Sequence, residues 1–243
     1  MGKTAIPPKE KVYEGSSKIL YVTEEEYTLI QFFKDDHVLG SGDIVQIPGK
    51  GIIKNSISAF LMEAMKLANI PNHLIEKLNM REQRIALVDL IPVQICVANV
   101  ACGRYATEFG IEEGFVFDTP MIDFRVKNSE QGNPVTNEQQ IAGFGWTFDE
   151  EIKELKAAAV RVSDFLIGLF AGAGIRMVEC QLEFGRGFDG NGYVLILADE
   201  ITPDSCRLWD IETNRRLDFE APTASAEEVI AVYQEVAKRL GIK

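Results

Sequence analysis

The chain alternates between short runs with a two-residue rhythm and longer stretches with a helical one. Residues 11–14, 19–22 and 27–33 are three β-like runs, and Gly15-Ser16-Ser17-Lys18 separates the first two. They predict a small antiparallel meander. From 56 to 67 the apolar residues Ile57, Phe60, Leu61, Ala64 and Leu67 share one helical stripe, which Pro71 ends. Residues 84–90 and 93–100 are apolar enough to be strands buried on both faces, with Ile91-Pro92 between them. A short helix is expected over 104–109, a strand over 121–126, a loop at Asn133-Pro134 and a helical turn at 138–141. The longest helix starts near Asp149, where Asp149, Glu150 and Glu151 suit the positive end of the helix dipole. Its stripe of Ile152, Leu155, Ala159, Val162, Leu166 and Leu169 runs to Gly172 and Gly174. A final amphipathic helix opens on a Ser225/Glu228 capping box and continues to Leu240. With no internal repeat and no low-complexity linker, a compact division near 90–92 is expected: residues 1–90 as a β-rich nucleotide-binding lobe, 91–243 as a larger substrate- and metal-binding lobe.

One stretch concentrates chemistry. Residues 197–210 place Asp199, Glu200, Asp204, Arg207, Trp209 and Asp210 at the end of an apolar strand and its following turn. Upstream, Asp189-Gly190-Asn191-Gly192 separates two β-like runs, a hairpin signature. A turn centred near Asn191 sets Glu183 opposite Asp199, and like charges in register need a cation between them. Mg²⁺ held by the two carboxylates and by substrate phosphates is one answer; an exposed, hydrated hairpin is the other. The Gly15–Lys18 loop has the glycine, hydroxyls and lysine that can cover a phosphate, although an ordinary polar turn has the same composition. Gly40-Ser41-Gly42-Asp43 and Pro48-Gly49-Lys50-Gly51 read as flexible segments of the kind that often carries binding groups, with plain connectors as the equal alternative.

Composition narrows the classes. A 243-residue chain with 46% hydrophobic residues can build a substantial core. A net charge of −12 with no basic cluster excludes a nucleic-acid binder. No apolar run is long enough to span a bilayer and the N-terminus has no signal-like apolar core, so a cytoplasmic location and no membrane partner are expected. Cys96, Cys102, Cys180 and Cys206 lack metal spacing and read as free thiols. His37 and His73 are too few for a histidine metal site, and a nucleophilic triad would have to use one of them.

Lys11-Val12-Tyr13-Glu14-Gly15, Phe33-Lys34-Asp35-Asp36, Gly49-Lys50-Gly51, Gly110-Ile111-Glu112-Glu113-Gly114, Leu182-Glu183-Phe184-Gly185, and Ala198-Asp199-Glu200 through Leu208-Trp209-Asp210 together resemble the SAICAR synthetase family over nearly the whole chain. The resemblance implies an α+β, two-lobed fold: a small antiparallel N-terminal lobe, a larger α/β lobe and ATP in the cleft between them. It also implies ATP- and Mg²⁺-dependent ligation of aspartate to the carboxylate of carboxyaminoimidazole ribonucleotide through an acyl phosphate, in a homodimer or larger homo-oligomer. Such chemistry needs cation and metal clamps more than a side-chain nucleophile. By the same resemblance Gly15 and Lys18 face ATP phosphates, Val88 to Leu90 hold adenine, and Glu183 and Asp199 hold metal. Asp204 and Arg207 sit at the reacting, ribonucleotide end, with Asn99 and Arg104 as further substrate contacts.

The resemblance has gaps. Ser16, Ala98, Gln181, Phe219 and Thr223 stand where the family usually has a lysine or arginine, Asn133 replaces an aspartate, and Arg104 replaces a serine. Arg104 is expected to make up for Ala98. A ligase with a changed acid or amine, and a nucleotide-binding protein without turnover, are the alternative readings.

Overall fold

The computed structural model describes residues 10–38, 43–127, 132–188, 192–218 and 225–242. In chain order it builds β1 (Lys11–Glu14), β2 (Lys18–Val22), β3 (Thr28–Phe33), β4 (Asp36–Val38), β5 (Ile44–Gln46), α1 (Lys50–Leu67), β6 (Leu74–Lys77) and β7 (Glu82–Ala86). There follow β8 (Asp89–Val100), α2 (Arg104–Thr107), β9 (Val116–Val126), β10 (Val135–Thr136), α3 (Glu138–Gly143), α4 (Asp149–Gly172), β11 (Ile175–Phe188), β12 (Tyr193–Ala198), β13 (Cys206–Asp210) and α5 (Ala226–Arg239). One antiparallel sheet has the order β1-β2-β3-β7-β6; the second runs β10-β9-β8-β11-β12, with β13 also paired to β11.

The second sheet has two unlike faces. Ile91, Val93, Ile95 and Val97 of β8 join Leu182 and Phe184 of β11 in the main core under α4. The alternate residues, Gln94 and Cys96 on β8, Asp123 and Arg125 on β9, and Glu179, Gln181 and Glu183 on β11, follow the two-residue period to the other face. Gln94, Glu179 and Gln181 of that polar face line the cleft. Helix α1 roofs part of the same core, with Ile57, Leu61 and Met65 buried and α5 packed against it.

Several elements differ from the sequence expectation. Helix α1 begins at Lys50, six residues earlier than its apolar stripe suggested, because Gly49 (φ 89°) turns the chain straight into it. Pro48–Gly51 is therefore a helix start and not a flexible connector. Strand β8 runs unbroken through Ile91-Pro92. The missing proline N–H is tolerated because the β8–β11 register shifts there, between Glu183/Gln94 and Gly185/Leu90. Helix α2 is shorter than expected and β9 longer. Phe188 pairs with Tyr193, so Glu183 faces Ala198 and not Asp199, one residue off the predicted register. The turn around Asn191, the Gly40–Gly42 connector and the substituted Phe219 and Thr223 lie outside the described residues. Among the described residues no helix is long and apolar enough to cross a membrane, and the cysteines are free and buried.

Candidate active site

Lysines at the start of a helix work against its dipole unless carboxylates answer them, and α1 has no acid in its first turn. The answer comes from elsewhere in the chain. Asp35 accepts from the Gly51 N–H at 2.9 Å and is gripped by both Arg81 nitrogens, at 2.9 and 2.8 Å, which fixes the helix start. Fixed in this way, α1 sends Lys50 and Lys54 inward on the stripe that continues to Ile57, Leu61 and Met65. Both side chains are essentially out of water, at 1% and 0% exposure.

They meet the loop after β12. Lys54 Nζ lies 2.7 Å from Glu200 Oε1 and 3.0 Å from Asp204 Oδ2. Lys50 Nζ lies 3.0 Å from the same Asp204 oxygen and 2.8 Å from His37 Nδ1. Lys18, at the start of β2, binds Glu200 Oε2 at 2.7 Å and also pairs with Asp199, while Ser17 Oγ donates to Glu200 Oε1 at 2.9 Å. A continuous chain of alternating charge thus runs Lys18, Glu200, Lys54, Asp204, Lys50. Burial would raise the Glu200 carboxyl, but Lys18 and Lys54 outweigh it and hold the group well below the usual range. Asp204 is likewise held low by Lys54 and Lys50 against its own burial. Burial opposes the charge on Lys54, yet Glu200 and Asp204 keep it protonated. Lys50 is less well compensated, and burial wins and lowers it. His37 is lowered by burial and by Lys50, which disfavours its charged form beside the lysine it contacts through Nδ1.

Glu200, Lys54, Asp204 and Lys50 of this chain line a polar cleft of about 360 Å³ that also takes in Gln181, Glu179 and Arg207. Arg207 Nε lies 3.6 Å from Glu179 Oε1. Its guanidinium rests over Gly103, where a Cβ would come within 3.0 Å of Nη2, and the backbone there, at φ +50°, favours glycine. Beside the cleft an apolar pocket of about 240 Å³ is walled by Leu20, Leu29, Ile85, Val88 and Leu90. Asp199 borders both spaces. Glu183 lines the apolar pocket and the trough joining it to the cleft, in which Gly15, Ser16 and Lys127 also stand. Lys127 Nζ is 2.5 Å from Glu183 Oε2.

Most of the residues singled out in the sequence therefore converge: Gly15, Lys18, Val88, Leu90, Glu183, Asp199, Asp204 and Arg207 line connected spaces. Asp199 does so with φ 63°, leaving the strand at the point where the predicted opposition to Glu183 would have required it to continue. Asn99 does not join them; it lies on the α4 side of β8, and its Nδ2 donates to Ser163 Oγ at 3.1 Å. Arg104 is tied to Asp123 at 2.9 Å, outside the cleft lining, and Ala98 packs with Ala101, Tyr105 and Phe117. Asn133 lines the trough. Lys54 is not singled out by the sequence reading, and Glu200, Lys50 and His37 enter it only as part of the acidic cluster, of a possible binding loop and of a possible triad, although the 50, 54, 57, 61, 65 spacing puts both lysines on the apolar stripe.

An apolar pocket opening onto paired lysines and carboxylates suits an enzyme that holds a nucleotide, its base in the first and its phosphates toward the second. A family model described as SAICAR synthetase matches residues 11–240. The phosphoribosylaminoimidazole-succinocarboxamide synthase of Rickettsia rickettsii is 52% identical over 232 residues, 96% of this chain and 98% of its own. The Rickettsia prowazekii protein of the same name is 51% identical. A crystal structure of the Ehrlichia chaffeensis synthase superposes with TM-score 0.91 at 38% identity, covering 96% of this chain and 99% of that one. A SAICAR synthetase in complex with ADP superposes with TM-score 0.86 at 30% identity, over 95% and 97% of the two chains. The chain belongs to the SAICAR synthetase family, and it is an ATP-dependent ligase of purine biosynthesis acting on small molecules.

Proposed function

We propose that the chain joins aspartate to carboxyaminoimidazole ribonucleotide at the expense of ATP. Adenine enters the apolar pocket against the Val88–Leu90 segment, and the triphosphate leaves it past Gly15 and Lys18. The observation that carries this reading is that the apolar pocket and the polar cleft meet at Asp199, with Lys18 on the wall of the first and bonded to Glu200 in the second. The ribonucleotide carboxylate attacks the γ-phosphorus, the β–γ bond breaks and ADP departs, leaving an acyl phosphate. The aspartate ammonium gives one proton to solvent, the free amine attacks the acyl carbon and passes a second proton to the departing phosphate, and inorganic phosphate leaves as the amide forms. Arg207 offers a planar fork to a substrate phosphate or carboxylate. Asp204, held ionised by Lys54 and Lys50, faces the same space and orients the incoming ammonium.

Mg²⁺ fits the donor set. Glu183 and Asp199 are hard oxygen ligands on one pocket, and two protein carboxylates completed by phosphate oxygens are what this ion accepts. When bound it would neutralise charge on the phosphates. Lys127 and Lys18 now occupy those carboxylates and would turn toward the phosphates. A cytoplasmic location and a homodimer or larger homo-oligomer go with this reading; light scattering tests the latter.

The test is ADP release with Mg-ATP, aspartate and carboxyaminoimidazole ribonucleotide. Turnover that requires all three supports the reading, and Mg-ATP binding without turnover overturns it.

A further inference from the structure

The cations around the cleft are already engaged. Lys18, Lys50, Lys54 and Lys127 are each paired with a carboxylate, Arg104 with Asp123, and Arg207 lies against Glu179. Arg125 is different. It sits on β9, opposite Gln94 of β8, in the row that continues to Glu183 of β11. Phe124, its neighbour in sequence, points into the main core, so Arg125 lies on the opposite, cleft-facing side of the sheet. Its Nε is buried without a hydrogen-bond partner. Its side chain reaches the thiol of Cys96, itself buried and pushed up to about 12 chiefly by that burial. A thiol is a weak acceptor, and Nε is left buried with no acceptor at all.

Among the described residues this half-buried guanidinium has no acidic partner, and it stands in register beside Gln94, which lines the cleft; that is a costly arrangement for a merely structural residue. It is a suitable one for a group that receives an anion. On the ligase reading above, on which this inference rests, two substrates besides ATP bring anions to the cleft: a phosphate ester on one and carboxylates on both. We propose that Arg125 is a substrate-anion anchor, binding a phosphate or carboxylate oxygen pair of the non-nucleotide substrates from the β9 side of the cleft. Gln94, its strand partner, lines both the cleft and the trough and marks the direction of approach. The planar fork gives bidentate recognition that a lysine cannot copy.

The experiment is steady-state kinetics of Arg125→Gln and Arg125→Lys, with thermal melts of both. In Arg125→Gln the KM for the ribonucleotide or for aspartate rises about tenfold or more, as expected for loss of a charge-assisted bond. The KM for Mg-ATP and the melting temperature hold, and Arg125→Lys recovers part of the loss. Inhibition by ribose 5-phosphate and by succinate assigns the anion: weakened phosphate-ester inhibition in Arg125→Gln places the ribonucleotide phosphate on Arg125, and weakened succinate inhibition places a carboxylate there. Unchanged KM for both substrates, or a rise confined to Mg-ATP, overturns the proposal while leaving the ligase reading standing. Wild-type protein that binds ribose 5-phosphate or succinate through Arg125 but does not turn over keeps the anchor and overturns the ligase reading.

Discussion

Lys54 Nζ lies 2.7 Å from Glu200 Oε1, and neither side chain has more than 8% of its surface in water. In such a pair each charge is tolerable only because the other is present. Lys54→Met leaves Glu200 and Asp204 short of a cation and is expected to destabilise the fold by about 3–5 kcal/mol, read as a lower urea midpoint at unchanged slope. An unshifted midpoint would show that the carboxylates do not depend on Lys54.

His73 predicts an acid limit to stability. Burial holds its folded-state value at about 3, against an ordinary 6.5, with Lys18 lowering it further. The unfolded chain therefore takes up the proton first as pH falls. The stability from neutral His73 is present above about 6.5 and is lost progressively down to about 3, at a limiting slope of about 1.4 kcal/mol per pH unit. Urea titrations between pH 7 and 4 should show a shallower decline in His73→Gln than in wild type.

Gly51→Ala tests how α1 is seated. The added Cβ would come within 2.5 Å of the Phe33 carbonyl and 2.8 Å of the Lys34 carbonyl, neither of which can swing away. A loss of about 1–3 kcal/mol is expected. Because the displaced turn carries Lys50, kcat should fall more than Mg-ATP affinity, measured by single-substrate kinetics beside calorimetry.

Glu183→Gln and Asp199→Asn should each weaken Mg-ATP by about tenfold or more, the scale of one lost charge-assisted contact. Metal-free ATP should bind the variants no worse than wild type, since a negative charge facing the phosphates has gone. Chelation of the metal should abolish turnover in the wild type. Equal Mg-ATP affinity in wild type and both variants would refute the metal assignment.

The sequence was most informative where one local rule decided the outcome. The α4 stripe, the capping box at Ser225 and the meander from 11 to 33 all follow from periodicity and end signals. The Glu183/Asp199 hairpin was legible as a hairpin but not in register, because one residue more or less in a turn shifts every partner. Lys50 and Lys54 were missed for a different reason. Lysine on an apolar stripe violates the usual pattern, and the carboxylates that permit it lie about 150 residues away in sequence. Asn99 illustrates the reverse case: strand parity sends it to the α4 side, where Ser163 receives it.

The chain of charges from Lys18 to Lys50 crosses back and forth between parts of the molecule. Lys18, Lys54 and Lys50 come from the first third of the chain, and Glu200 and Asp204 from the last. It acts as a seam stitched from both sides. Swinging the first sheet and α1 together away from the loop after β12 would tear several buried bonds at once and strand each charge in a poorly hydrated wall. Substrates are therefore expected to reach the cleft along its open trough, through movement of the surrounding loops, while the two sheets stay fastened throughout the catalytic cycle.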